Sequence, residues 1–251
     1  MTADTSPLHA IIPSRGRPQH VARTAAAWKA TGALAAGVRV TYSLDESDPE
    51  AARYASAIKR HFGRLGSIYA GASDGMVAAI NGAGRALIGD TRPGAEPPFA
   101  LAVLNDDHVP RSEHWHDAMA AALTVVGTGI VYGDDLLRGE SLCTAWAMTT
   151  DIVRATNRVV PCLVRHLFAD NAVMSLGRAA AVLGYLPDVV IEHCHYTNAK
   201  AEKDAGYERV NSRERWRADE AKYQRWLTGG RFREQVTQVK ALRASHAASE
   251  S

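Results

Sequence analysis

Apolar and polar positions along the first 108 residues switch repeatedly between a strand period and a helix period. Residues 9–12 form a short apolar run closed by Pro13, which reads as a strand. Pro13-Ser14-Arg15-Gly16-Arg17-Pro18 reads as the turn after it. Residues 19–31 have helical spacing, with Val21, Ala25 and Trp28 on one face. Residues 38–44 alternate as a strand and run into Asp45-Glu46-Ser47-Asp48-Pro49. A helix over 51–62, a short strand over 67–70, a helix over 76–87 and a proline-rich loop over 89–98 follow. The apolar run 99–104 is a buried strand ending in Asn105-Asp106-Asp107-His108. This alternation predicts an α/β chain with a doubly wound, mainly parallel sheet flanked by helices.

The second half is less regular. Residues 115–125 read as a helix, and 128–132 as a strand ending in Gly133-Asp134-Asp135. Residues 142–148 suit an antiparallel strand, and 150–157 a helix. A helix opens at Ala169-Asp170-Asn171 and runs to about Leu183, and 188–195 is a strand ending in Glu192-His193-Cys194-His195. Two polar helical segments, 212–227 and 231–247, form a C-terminal tail.

Composition narrows the class. The 251 residues hold 46% hydrophobic positions, enough for a sizeable core, and a net charge of +2, which gives no reason to expect a nucleic-acid partner. Three scattered cysteines without a CxxC pair point to neither a disulfide framework nor a zinc ribbon. No apolar stretch approaches the roughly 18 residues of a membrane span. The first seven residues lack a signal-peptide core. The expectation is a cytoplasmic protein.

Ligands of an open α/β sheet sit at the carboxyl ends of its strands, and this chain gathers polar residues there. Asp107 is the metal candidate, since hard oxygen ligands suit Mg²⁺ or Mn²⁺ and such ions hold substrate phosphates. Asn105 and Asp106 are placed to hold a ribose or a donor sugar; Asp106 reads equally as a helix cap. His193 and His195 alternate on one strand and share a face. His195, nearer the loop, is the preferred second ligand, with His193 orienting it. An imidazole ligand favours Mn²⁺ over Mg²⁺. Asp170, at a helix start, suits a general base for an acceptor hydroxyl, and equally an N-cap. Asp45 suits a ribose or base edge, whereas Asp48 before Pro49 reads as a solvated turn. Arg15, Arg17, Lys200 and Lys203 are candidate phosphate partners, the two lysines on a segment able to close over a diphosphate. Asp134 and Asp135 better fit an acceptor contact than a metal. No P-loop, dinucleotide fingerprint or nucleophile elbow is present.

Taken in order, Ile11-Ile12-Pro13-Ser14-Arg15, Leu44-Asp45-Glu46-Ser47-Asp48, Asn81, Leu104-Asn105-Asp106-Asp107, Asp170 and His193-Cys194-His195 resemble the GT-A glycosyltransferases, most closely the family 2-like inverting enzymes. The likeness spans residues 8–200. Asn105 stands where the family's D-x-D motif carries its first Asp, and Asp107 matches the metal-binding second Asp. The resemblance implies a donor site of Pro13, Ser14, Arg15, Asp45, Asn81, Asn105, Asp106, Lys200 and Lys203. It implies Asp107 and His195 on Mn²⁺ or Mg²⁺, and Asp170 as base. Asp134, Asp135 and Trp146 fall on the acceptor side. Residues 144–195, with Ala145-Trp146-Ala147-Met148, also resemble compact glycosyltransferases of actinobacterial phages, which would place the protein in a host cytoplasm.

The implied function is metal-dependent transfer of a sugar, with inversion, from a nucleotide-diphosphate sugar (a UDP- or GDP-sugar first) to a hydroxyl of a protein, glycan or small molecule. The implied organisation is a catalytic domain over 1–200, with a nucleotide-binding half at 8–108 and an acceptor half at 109–200. A helical extension covers 201–251. Two other readings stand beside it. A nucleotidyltransferase shares the layout, but its Gly-rich first loop with a lysine is here Ser14-Arg15-Gly16-Arg17. A non-catalytic nucleotide-binding or assembly protein is the other; the tail, with Trp216, Tyr223 and Trp226 at near-helical spacing, suits a homo-oligomer contact or packing on its own domain.

Overall fold

A computed structural model describes residues 7–71, 75–89, 97–195, 198, 200 and 212–249. Lys203 lies outside the described residues. The first half is laid down as β1 (Leu8–Ser14), α1 (His20–Ala30), β2 (Arg39–Asp45), α2 (Ala51–Phe62), β3 (Gly66–Gly71), α3 (Met76–Ile88) and β4 (Ala100–Val103). The second half continues through β5 (His108–Pro110), α4 (Trp115–Val126), β6 (Ile130–Asp134), β7 (Trp146–Thr149), α5 (Thr150–Thr156), α6 (Ala169–Ala180), β8 (Leu183–His193), α7 (Arg213–Thr228) and α8 (Gly230–Ser249).

The strands form one sheet in the order β3-β2-β1-β4-β7-β6-β8-β5. β3, β2, β1 and β4 are mutually parallel, as are β6 and β8; β7 runs antiparallel between β4 and β6, and β5 antiparallel to β8. After β3 the chain crosses back over β1 to lay down β4. The strand order therefore reverses between β1 and β4, and this reversal opens a crevice at their carboxyl ends.

Alternation along β1 sorts the two faces of the core. Leu8, Ala10 and Ile12 join Trp28, Tyr54 and Trp115 under α1, α2 and α4. Ile11 joins Ile80, Leu101, Trp146, Ile152 and Val173 under α3, α5 and α6. α7 and α8 extend that second layer, with Trp226 and Val239 in its core.

Several boundaries differ from the sequence reading. β1 passes through Pro13 rather than stopping there. Ile11 O still accepts from Leu104 N, but pairing with β4 ends at Ile11, so the absent N–H of Pro13 costs no ladder bond on that side. α6 ends at Ala180, and β8 starts at Leu183, five residues ahead of the expected Asp188. β8 ends at His193, so His195 lies beyond the strand. The short β5 was not apparent in the sequence. It exists because residues 108–110 pair with 191–193, which sets His108 opposite His193. Among the described residues no helix is long and apolar enough to cross a membrane.

Candidate active site

The tip after β4 divides two neighbouring carboxylates between two jobs. Asp106 turns to the first strand. It accepts from Ser14 Oγ at 2.6 Å and from Arg17 at 3.1 Å, while Arg23 donates to its backbone carbonyl at 3.0 Å. Ser14 Oγ also meets Tyr54 Oη at 2.6 Å. Asp106 and Arg17 are thus partners in a clasp that closes the ends of β1 and β4 on each other.

Asp107 turns to the other side, where its Oδ1 lies 3.5 Å from His193 Nε2. The opposite ring nitrogen of His193 faces Asp135 Oδ2 at 3.8 Å. Burial alone would lower the His193 pKa, but the carboxylates of Asp107 and Asp135 outweigh it and raise the imidazole to about 9. Burial works to raise Asp135, yet the neighbouring His193 imidazole and hydrogen bonds from the Arg138 and Leu137 N–H groups and the Thr144 hydroxyl hold it well below the ordinary carboxylate range.

The chemistry of this donor set fits a divalent ion. One carboxylate oxygen and one imidazole nitrogen stand side by side at a gap long for a hydrogen bond. The imidazole is backed by a second carboxylate, as ligating histidines usually are. His108 also lies within reach of Asp107 and His193. Its Nδ1, however, accepts the Asn105 N–H at 3.0 Å. A neutral His108 then carries its proton on Nε2 and offers no lone pair there. It packs edge-on against the His193 ring, centroids 4.6 Å apart, and supports it.

A cleft of about 440 Å³ opens beside this group, lined by Leu137, Arg138, Leu142, Thr144, Asp170, His193 and His195. Asp170 stands in the first turn of α6. Burial pushes its carboxyl up to about 7; His193 and a hydrogen bond from Trp146 pull it down, and the charges of Asp135 and Asp107 push it further up. A carboxyl poised there can exchange a proton near neutrality.

Solved structures share this arrangement of elements. A mannosyltransferase from Pyrobaculum calidifontis, in complex with GDP-Man and Mn²⁺, superposes with a TM-score of 0.58 over 98% of this chain and 76% of its own, at 14% identity. TarS 1–349 of S. aureus gives 0.54 over 96% of this chain and 91% of its own, at 9% identity. Glucosyl-3-phosphoglycerate synthase from Mycobacterium tuberculosis, with Mn²⁺, UDP and phosphoglyceric acid, gives 0.54 over 86% and 78%, at 8% identity. The fold is that of the GT-A glycosyltransferases. No protein-family model and no curated protein matches the sequence.

On this GT-A frame the remaining sequence candidates can be placed. Pro13 is buried at the end of β1. The exposed Arg15 forms an ion pair with Asp45, whose Oδ1 accepts from Ser47 N and Oγ. Both stay at the crevice rim. Asp48 is no solvated turn: it is buried and accepts from Gly16 N at 2.8 Å, which shapes the loop after β1. Asn105 sits in the turn between β4 and β5, its carbonyl accepting from His108 N.

Others move. Asn81 is buried in α3 and spends its amide on the backbone of Val159 and Val160 at 2.7, 2.9 and 3.2 Å. It is a clip, not a donor contact. Lys200 pairs with Glu192, which Arg111 also holds. Glu192 precedes His193 on β8 and points to the opposite face, so Lys200 is held away from the metal candidates. Asp134 caps its own turn through Leu136 N. Asp135 supports His193 and the 137–139 turn. Trp146 is buried beneath Asp170. His195 lies next to His193, ring centroids 5.1 Å apart, but it is His193 that faces Asp107. The sequence reading missed Arg138 and Thr144. The tight Gly133-Asp134-Asp135 turn that carries them to the cleft was the available signal.

Proposed function

We propose that the protein is an inverting glycosyltransferase using a nucleotide-diphosphate sugar. The observation that carries this reading is the cleft lined by both Asp170 and His193, with Asp107 facing Nε2 of that imidazole. Residues 8–108 form the nucleotide half, with Pro13, Arg15, Asp45 and Asn105 around the crevice at the β1–β4 reversal. Residues 109–200 form the acceptor half, and 201–251 a helical extension. Asp107 and His193 would hold Mn²⁺, with His195 beside them. When bound, the ion supplies charge neutralisation for the departing diphosphate. The Mn²⁺ and the GDP-Man or UDP bound by structurally similar proteins support this assignment.

Asp170 accepts the proton of the acceptor hydroxyl. The acceptor oxygen forms its bond to the anomeric carbon as the bond from that carbon to the diphosphate oxygen breaks, and the nucleoside diphosphate leaves. Arg138, at the cleft wall, is the cation that meets negative charge there. Leu137 and Leu142 help exclude water, whose attack on the donor is the competing reaction.

Calorimetry with UDP and GDP, with Mn²⁺ and with chelator, tests the site. One diphosphate is expected to bind, and binding is expected to vanish with chelator and in Asp107→Ala. Asp170→Asn is expected to keep that binding and lose turnover by roughly 100-fold or more. An Asp170→Asn variant that turns over normally removes Asp170 from the mechanism. Absence of binding by both diphosphates removes the glycosyltransferase reading.

A further inference from the structure

Asp219 is a buried carboxylate on α7, far along the chain from the residues that line the cleft. Its Oδ1 accepts from Arg165 N at 2.8 Å, and its Oδ2 from His166 N at 2.9 Å and Leu167 N at 3.0 Å. Three successive backbone donors converge on one side chain. The next residue, Phe168, is left-handed (φ 65°) and is the N-cap of α6, whose first turn presents Asp170. No side chain caps that helix start. The entry angle of α6 is therefore set by the turn before it.

Further contacts hold this turn. Phe168 stacks on Tyr223 of α7 at 5.5 Å and 16° and packs on Trp216. Tyr223 Oη bonds Ser175 Oγ of α6 at 2.8 Å. On its other side, Val77 N donates to Arg165 O at 3.3 Å, and a Cβ on Gly75 would lie 2.6 Å from that carbonyl oxygen. The turn is thus gripped between α3 and α7, and only a glycine permits so close an approach.

We propose that Asp219 is a positioning residue for Asp170: the α7 carboxylate locks the 165–167 turn, and the turn fixes where the base points into the cleft. The tail is then part of the active-site architecture rather than an appendage. The proposal rests on Asp170 being the base. A carboxylate accepting from three backbone N–H groups is a strong clamp. An asparagine of the same shape offers one acceptor oxygen and sets its NH₂ against the remaining donors. A misplacement of about 1 Å at a reacting group can cost roughly 100-fold in rate.

The test compares the wild type, Asp219→Asn, Asp219→Glu and Asp170→Asn as full-length proteins. Hydrogen exchange is read over residues 165–173, UDP and GDP binding is read with Mn²⁺, and nucleoside diphosphate release is read from UDP-glucose and GDP-mannose with water as acceptor. Asp219→Asn is expected to lose protection through the first turn of α6 and to turn over roughly 10- to 100-fold more slowly, with diphosphate affinity unchanged. Asp219→Glu is expected to recover part of both. Loss of protection confined to 165–167, or full turnover in Asp219→Asn, overturns the proposal. So does a loss of turnover and diphosphate binding in equal proportion, since that reports only unfolded protein. Normal turnover in Asp170→Asn strikes instead at the assignment of the base.

Discussion

Asp106 and Asp107 are neighbours in sequence and opposites in role, because the turn between β4 and β5 that carries them aims one at the end of β1 and the other at β8. One clasps β1; the other faces His193. The imidazole between Asp107 and Asp135 has its pKa raised from 6.5 to about 9. A folded-state value above the unfolded one stabilises the cation-free protein fully below pH 6.5, and this contribution is lost as pH rises through about 9. The same proton competes with a metal for the nitrogen. Mn²⁺ affinity is therefore expected to climb by up to about tenfold per pH unit between neutrality and the His193 pKa. Calorimetry in two buffers of different ionisation enthalpy is expected to show about one proton released per ion bound. A flat pH dependence with buffer-independent heat would remove His193 from the ligand set. His193→Gln is expected to flatten the dependence and weaken the ion.

Elements are held to one another here by single polar side chains buried where backbone runs short of partners. Asn81 is such a side chain. α3 is apolar around it, and its carbonyl oxygen satisfies two backbone N–H groups of the 159–160 segment. Asn81→Ala would leave both donors buried and unpaired, at a cost of about 2–4 kcal/mol. A denaturant melt is expected to show that loss, while nucleoside diphosphate affinity stays unchanged. The reverse result, normal stability with weakened binding, would restore Asn81 to the donor site. The sequence shows a polar residue inside an apolar helix but not its partner, since the partner lies 78 residues away.

For the whole molecule the decisive question is whether the tail is detachable. Gln235 is fully buried, accepting from Trp226 Nε1 at 2.8 Å and donating to Pro161 O at 3.2 Å. Trp226 and Val239 complete the core that Ile152 and Val173 begin. A chain ended after residue 211 is expected to lose its cooperative thermal transition, as followed by circular dichroism. An unchanged melt would make residues 201–251 an independent extension. By itself the sequence determined the strand and helix order of the first half, the antiparallel strand near 146–149, and the acidic and imidazole groups at strand ends. Those features are local: periodicity of 2 or 3.6 and polar residues where apolar runs stop are written in neighbouring positions. Only the tertiary structure decided that Asp107 faces His193 rather than His195, that Lys200 and Asn81 are committed elsewhere, and that Asp219 grips the turn ahead of Asp170. Each of these is a pairing between residues distant in sequence. Such pairings are set by sheet register and helix packing, which no local pattern encodes.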